Sequence, residues 1–187
     1  FLCQIAYRYL HFREGCYNMN MKLDENPWLT DAEFMSYVGH FLEMPELKQL
    51  DEITHHYTST RLIHSIKVSY VSYLVCKKMG WNAKSAALAG LLHDLFYYDW
   101  RDTKFNKSHA YVHPRIAARN AAKITTLSDL EYDCIVKHMW GATIAPPRYK
   151  ESWVVTLADD YVAMTEGVET ARFKWKTRKY FKRHLPI

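Results

Sequence analysis

Six side chains able to hold a divalent cation recur along the chain: His64, the adjacent pair His93 and Asp94, His113, His138 and Asp159. The intervals of 29, 19, 25 and 21 residues between them are helix-plus-loop lengths. Imidazole and carboxylate together suit zinc, iron, manganese or nickel, and a set without cysteine argues against a closed structural zinc site. The pair at 93 and 94 ends the run "LAGLLHDLFYYDW", whose alanine, glycine and leucine otherwise read as core. An uncompensated carboxylate in such surroundings costs several kcal/mol, and a cation offsets that cost directly. The two oxygens of Asp94 suit a bridge between metals roughly 3.5 to 4 Å apart. His64, His93 and Asp159 would complete the first metal, and His113 and His138 the second. A lone buried histidine is usually a hydrogen-bonded core residue. No packing rationale accounts for the whole set.

Helical periodicity dominates the elements that must position these groups, and no alternating strand pattern competes with it. "LTDAEFMSYVGHFLEM" reads as a helix entered through Thr30 or Asp31, with Glu33 in its first turn and Pro45 beyond its end. "TSTRLIHSIKVSYVSYLVCKKM" reads as a second helix stopped by Gly80. A third, central helix follows Asn82, and its Ala83, Ala86, Ala87, Ala89 and Gly90 permit close approach of a neighbour. Residues 99–108 are loop-like, and Pro114 fits the first turn of a helix to about Ile124, with His113 at its mouth. "SDLE" at 128–131 has the capping-box pattern, opening a helix that carries His138 and stops at Gly141. A last long helix, "KESWVVTLADDYVAMTE", holds Asp159 in its middle.

The 187 residues suffice for one well-buried domain. Arg172, Lys174, Lys176, Arg178, Lys179, Lys182 and Arg183 place seven of the 25 basic residues in a C-terminal segment without acids. The remaining 18 face 20 acidic residues, so the body is mildly acidic and the basic character belongs to the tail. Phe173, Thr177, Tyr180 and His184 fall at helical spacing, so a terminal amphipathic helix with a solvated basic face explains the tail better than nucleic-acid binding, which is disfavoured. No apolar run reaches the roughly 18 to 20 residues of a membrane span. Together with the absence of a signal-like start, this leads to the expectation of a cytoplasmic protein. Cys3, Cys16, Cys76 and Cys134 lack the spacing of a metal or redox motif and are expected to be reduced.

"HSIKV", "AGLLHD", "HP", "IVKHMW" and "LADDYVA", in this order, resemble the HD-domain superfamily of metal-dependent phosphohydrolases over roughly residues 55 to 165. "HHYTSTRLIHS" and "LLHDLFYYDW" are similar to a bacterial branch of it. The resemblance implies an all-α HD-domain helical bundle, with metal ligands at His64, His93, Asp94 and Asp159. His113 and His138 match the extra histidines of two-metal members. It further implies one or two divalent metals, iron or manganese favoured, with zinc, nickel or magnesium as options. The implied activity is hydrolysis of a phosphate ester of a nucleotide or similar small molecule. A di-iron oxygenase and a metal-keeping binding module are the alternatives. The chain has no GYP motif, which disfavours cyclic di-GMP hydrolysis. The expected organisation is an N-terminal helical extension over 1–50, an HD domain over 51–170 and a basic helix or tail over 171–187, with a homodimer as an option.

Around the ligands, Arg61 and Lys67 lie three residues on either side of His64, near its face of a helix, and suit a phosphate. Asp94 and Lys67 are the expected catalytic residues together with Asp99, which suits a proton relay or a helix cap. Arg115, beside His113, is a candidate for binding substrate, as are Arg148 and Trp140 at the rim, although a core position suits the tryptophan better. His55 and His56 carry no assignment.

Overall fold

The computed structural model describes residues 26–56, 59–99 and 102–184; the first half of the expected N-terminal extension therefore lies outside the described residues. Among these, the fold is the all-α bundle that the periodicity leads one to expect. Helix α1 (Ala32–Leu42) starts where the Asp31 carboxylate accepts from the amide of Phe34 at 3.0 Å. A short α2 (Pro45–Lys48) follows, begun by the proline whose missing amide costs nothing in a first turn. Strands β1 (Thr54–His56) and β2 (Ser59–Thr60) pair antiparallel. This small hairpin was not signalled by any alternating pattern. The side chains of His55 and His56 lie outside the described residues.

Three helices carry the centre. In α3 (Arg61–Lys78) the Thr60 hydroxyl caps the amide of Ile63, and in α4 (Ala83–Leu92) the Asn82 side chain caps that of Ser85. Helix α4 is buried from Ser85 to Leu92 and packs on α3. There a Cβ on Gly90 would lie 2.8 Å from the Ser69 Cα, and the Ser69 hydroxyl donates to the Ala87 carbonyl at 2.6 Å. The small residues thus set the distance at which the His64 helix and the HisAsp pair meet. Helix α6 (Asp129–Lys137) opens with the capping box: Ser128 receives the Glu131 amide and Glu131 reaches back to the Ser128 amide. Phe34, Val38 and Phe41 of α1 share one buried cluster with Ile66 of α3 and Leu91 and Leu92 of α4.

Two helices differ from the sequence expectation. Helix α5 spans His109–Ile124, so Pro114 stands inside it rather than in its first turn. The proline removes one ladder bond near the N-terminal end, where the remaining helix and its buried Ala117, Ala118 and Ala121 outweigh the loss. Helix α7 runs without interruption over Lys150–His184, taking in Gly167 and the basic segment. Extending an existing helix needs no new nucleus, and the added stretch is rich in lysine and arginine, both good helix formers. Trp140, expected in the core, is instead exposed and packs edge-on against Trp153 at 4.6 Å. No described helix is long and apolar enough to cross a membrane.

Cys76 and Cys134 are free and buried. Burial, reinforced by nearby Glu151, pushes both thiols up to about 12. Since the thiolate is the reactive form, neither residue should be alkylated in the native protein at mildly alkaline pH. Both should react in denaturant, as peptide mass mapping would show. Native labelling of Cys134, whose sulfur lies 3.3 Å from the Ser152 hydroxyl, would mean that α6 and α7 part readily.

Candidate metal centre

Five segments bring the six side chains to one place. His64 comes from the first turn of α3, His93 and Asp94 from the end of α4, His113 from α5, His138 from the end of α6 and Asp159 from α7. Three overlapping groups have ligand atoms within 4.8 Å of one another: His64, His93 and Asp94; His93, His138 and Asp159; and Asp94, His113 and His138. The two Asp94 oxygens face different partners. Oδ2 lies 3.8 Å from His93 Nε2, whereas Oδ1 lies 3.3 Å from His113 Nε2 and 3.7 Å from His138 Nε2. Asp159 Oδ1 is 2.9 Å from His64 Nε2 and 3.6 Å from His93 Nε2.

The outer hydrogen bonds decide which nitrogen points inward. The Nδ1–H groups of His93, His113 and His138 donate to the carbonyls of Gly90, His109 and Ile135 at 2.8, 3.0 and 2.7 Å. That of His64 donates to Glu166 at 3.0 Å. A neutral imidazole whose Nδ1 donates keeps a bare lone pair at Nε2. Two of these, on His113 and His138, stand 2.9 Å apart. Unscreened lone pairs at that distance repel, so the arrangement calls for a proton or a cation between them. His93 Nε2 and Asp94 Oδ1 are also buried without a hydrogen-bond partner. Orphaned acceptors facing each other in a dry interior fit a bound divalent cation, and the carbonyl and carboxylate partners behind the rings are the support that metal-ligating histidines use.

The electrostatics agree. Burial disfavours ionised Asp94, but the facing His93, His113 and His138 hold its carboxyl well below the usual range. Asp159 is held low in the same way by His64 and His93. Burial, together with His93 and His113, pushes His138 down to about 3, leaving a neutral imidazole ready to ligate. Burial also opposes charge on His64, yet Asp159 and Glu166 outweigh it and raise His64 to about 10.

The neighbours fall into place less evenly. Arg61, read from the sequence as a phosphate contact, is 1% exposed; it donates to the Phe96 carbonyl at 2.6 Å and stacks over the Phe96 ring at 3.7 Å. Its position ties the start of α3 to the segment that follows the HisAsp pair, and Asn120 adds a bond to the Leu95 carbonyl at 2.9 Å. Lys67, 28% exposed, lies one turn from His64 and pairs with Glu166 at 3.1 Å. Arg115 is half-buried, donating to the Tyr111 carbonyl at 2.7 Å and stacking on the Tyr111 ring. Asp99 is exposed on the following loop, where its carbonyl accepts from Thr103 at 3.1 Å; it belongs to none of the converging groups among the described residues. Arg148 is exposed, and its amide donates to Asp133 at 2.8 Å.

Two residues escaped the sequence reading. Glu166 lies seven residues, two helical turns, beyond Asp159 and so shares its face of α7, a spacing that could have marked it. His109 precedes His113 by one turn and stacks on it with ring centroids 4.4 Å apart; a helix begun at Pro114 hid that relation. Burial and nearby His113 lower His109 to about 4. Glu166→Gln should weaken metal binding roughly 10- to 100-fold, the usual cost of removing such a supporting group, with the fold retained. Metal titration followed by calorimetry measures this, and an unchanged affinity would show that Glu166 supports only Lys67.

A family model described as HD domain matches residues 61–164, more than half of the chain, while no curated protein and no solved structure matches it.

Proposed function

Because the chain belongs to the HD domain family, we propose that it is a metal-dependent phosphohydrolase acting on a nucleotide or a similar small phosphate ester. The observation that carries this reading is the convergence of the four Nε2 atoms on Asp94 and Asp159, each ring held from behind at Nδ1, with His93 Nε2 and Asp94 Oδ1 buried and without a hydrogen-bond partner. One or two divalent cations, iron or manganese favoured, would supply a water of lowered pKa and positive charge for the phosphoryl oxygens. His64, His93, Asp94 and Asp159 would hold the first, and Asp94, His113 and His138 the second.

The chain's own groups then have distinct tasks. Asp94 spans the two halves of the centre through its separate oxygens. Asp159, with 15% of its side chain exposed, is the ligand most open to solvent, so substrate enters on its side. Lys67 can exchange Glu166 for a phosphate oxygen at little cost, being partly solvated already. Arg115 presents a guanidinium near the mouth of α5, and Asp99 relays a proton at the loop edge. Arg61 is better suited to fixing the HisAsp segment than to meeting substrate.

Water attack on phosphorus consumes no dioxygen, whereas the di-iron oxygenase alternative must consume it. Nucleoside mono-, di- and triphosphates, cyclic nucleotides and dinucleoside polyphosphates, incubated anaerobically with manganese or iron, should yield phosphate or nucleotide. If all prove inert while the reduced iron-loaded protein takes up oxygen with an organic substrate, the hydrolase reading fails.

A further inference from the structure

His113 stands on a helix turn with little support of its own. The amides at the head of α5 lack ladder partners, as at the start of any helix, and Ser108 offers none of them a side-chain cap bond. No acid stands in that first turn. Pro114, directly after His113, removes the donor that the Ala110 carbonyl would otherwise receive. The starts of α3, α4 and α6, by contrast, are capped by the side chains of Thr60, Asn82 and Ser128. A ligand carried on so loosely tied a turn needs holding from the side.

Rings supply that support. His109, one turn earlier, lies nearly parallel to the His113 ring, at 22° and with centroids 4.4 Å apart. His109 is met in turn by the segment that follows the HisAsp pair. Phe96 packs against it at 5.5 Å, and Tyr98 edge-on at 5.9 Å, with the Tyr98 hydroxyl 3.5 Å from His109 Nδ1. Phe96 also touches the His113 ring at 5.3 Å and is itself pinned by the Arg61 guanidinium, 3.7 Å from its centre. Within this frame His113 keeps Nδ1 on the His109 carbonyl and Nε2 towards Asp94.

We propose that His109 is a positioning residue for the second metal, its ring fixing the tilt at which His113 faces Asp94. The inference rests on the two-metal reading above. Among the described residues His109 belongs to none of the three groups of converging ligand atoms, so it acts on the centre through His113. The first metal draws His64, His93, Asp94 and Asp159 from α3, the end of α4 and α7, and nothing from α5. The influence of His109 is therefore confined to the second metal. A stack joins ring faces and not ring nitrogens, so a phenyl ring serves the same purpose and a methyl group does not.

Manganese titration of the full, metal-free chain, followed by calorimetry and by electron paramagnetic resonance, tests this without any turnover. The filled wild type should show the exchange-coupled spectrum of a metal pair and not the hyperfine sextet of isolated ions. His109→Ala should bind the first ion with wild-type affinity and the second roughly 10- to 100-fold more weakly, the usual cost of losing an outer support. Its sextet should persist at manganese concentrations that fill the wild type, with helical content unchanged. His109→Phe should restore the coupled spectrum. The proposal is overturned if His109→Ala holds both ions as tightly as the wild type, or if it loses both together, which would make His109 a prop of the whole bundle. His109→Phe behaving like His109→Ala would overturn it too, by making the ring nitrogens the acting groups. A wild type that takes up a single ion would instead overturn the two-metal reading itself, and the proposal with it.

Discussion

Asp94→Ala should leave a folded protein that binds neither metal and releases no phosphate from any substrate the wild type cleaves. The expectation rests on the division of labour between its oxygens, Oδ2 towards His93 and Oδ1 towards His113 and His138. Removing the carboxylate takes a ligand from both halves of the centre at once. It also removes one of the two converging carboxylates, Asp94 and Asp159, whose negative charge offsets a cation in that interior. Elemental analysis after metal loading and a turnover assay read the two effects separately. Asp94→Asn, which keeps one oxygen in place, should retain at most one weakly held metal. If Asp94→Ala still carries two metals, the bridging role is wrong and the centre is organised around Asp159 instead.

The largest effect on stability is expected at Gly90, which is not itself a candidate ligand. A Cβ there would stand 2.8 Å from the Cα and 3.0 Å from the amide nitrogen of Ser69, both backbone atoms of the packed helix α3. Neither can swing aside as a side chain tip would. Overpacking against rigid neighbours costs about 3 kcal/mol, the upper end of its usual range, against the roughly 1 kcal/mol that alanine gains over glycine inside a helix. Gly90→Ala should therefore lose about 2 kcal/mol, a fall in Tm of roughly 4 to 8 °C for a chain of this size. Metal affinity should fall too, because the Gly90 carbonyl holds His93 Nδ1 and any shift of α4 is passed to the HisAsp pair. Gly39→Ala in α1 is the control. Its Cβ meets only the flexible tip of Met35 at 3.4 Å, and thermal denaturation should show no loss. Equal melting temperatures for Gly90→Ala and wild type would mean that α3 and α4 separate at little cost.

Much of this molecule is written locally. The starts at Asp31 and Asn82 and the capping box at Ser128 were legible because a cap and the amide it receives are three residues apart, whereas Thr60, the cap of α3, lay inside the run read as helix. The run of small residues in α4 was legible for the same reason, and so were the six candidate ligands, whose types and intervals appear in the chain itself. The end of α7 was harder, since only the structure shows that the basic segment continues the helix that carries Asp159.

The tertiary structure alone decided what stands behind and beside the ligands. Glu166 reaches His64 across 102 residues of sequence, and the carbonyls that fix His93, His113 and His138 exist on every residue of every helix, so no residue type announces them. Arg61 is similar: its spacing from His64 suggested a phosphate contact, whereas packing turned the guanidinium onto carbonyls 35 and 37 residues away. Periodicity and capping depend on neighbours within one or two turns, and the sequence by itself determines them. The inward aim of four Nε2 atoms and the outward face of Leu157 and Met164 depend on how helices far apart in the chain come to rest against one another, and only their packing sets that.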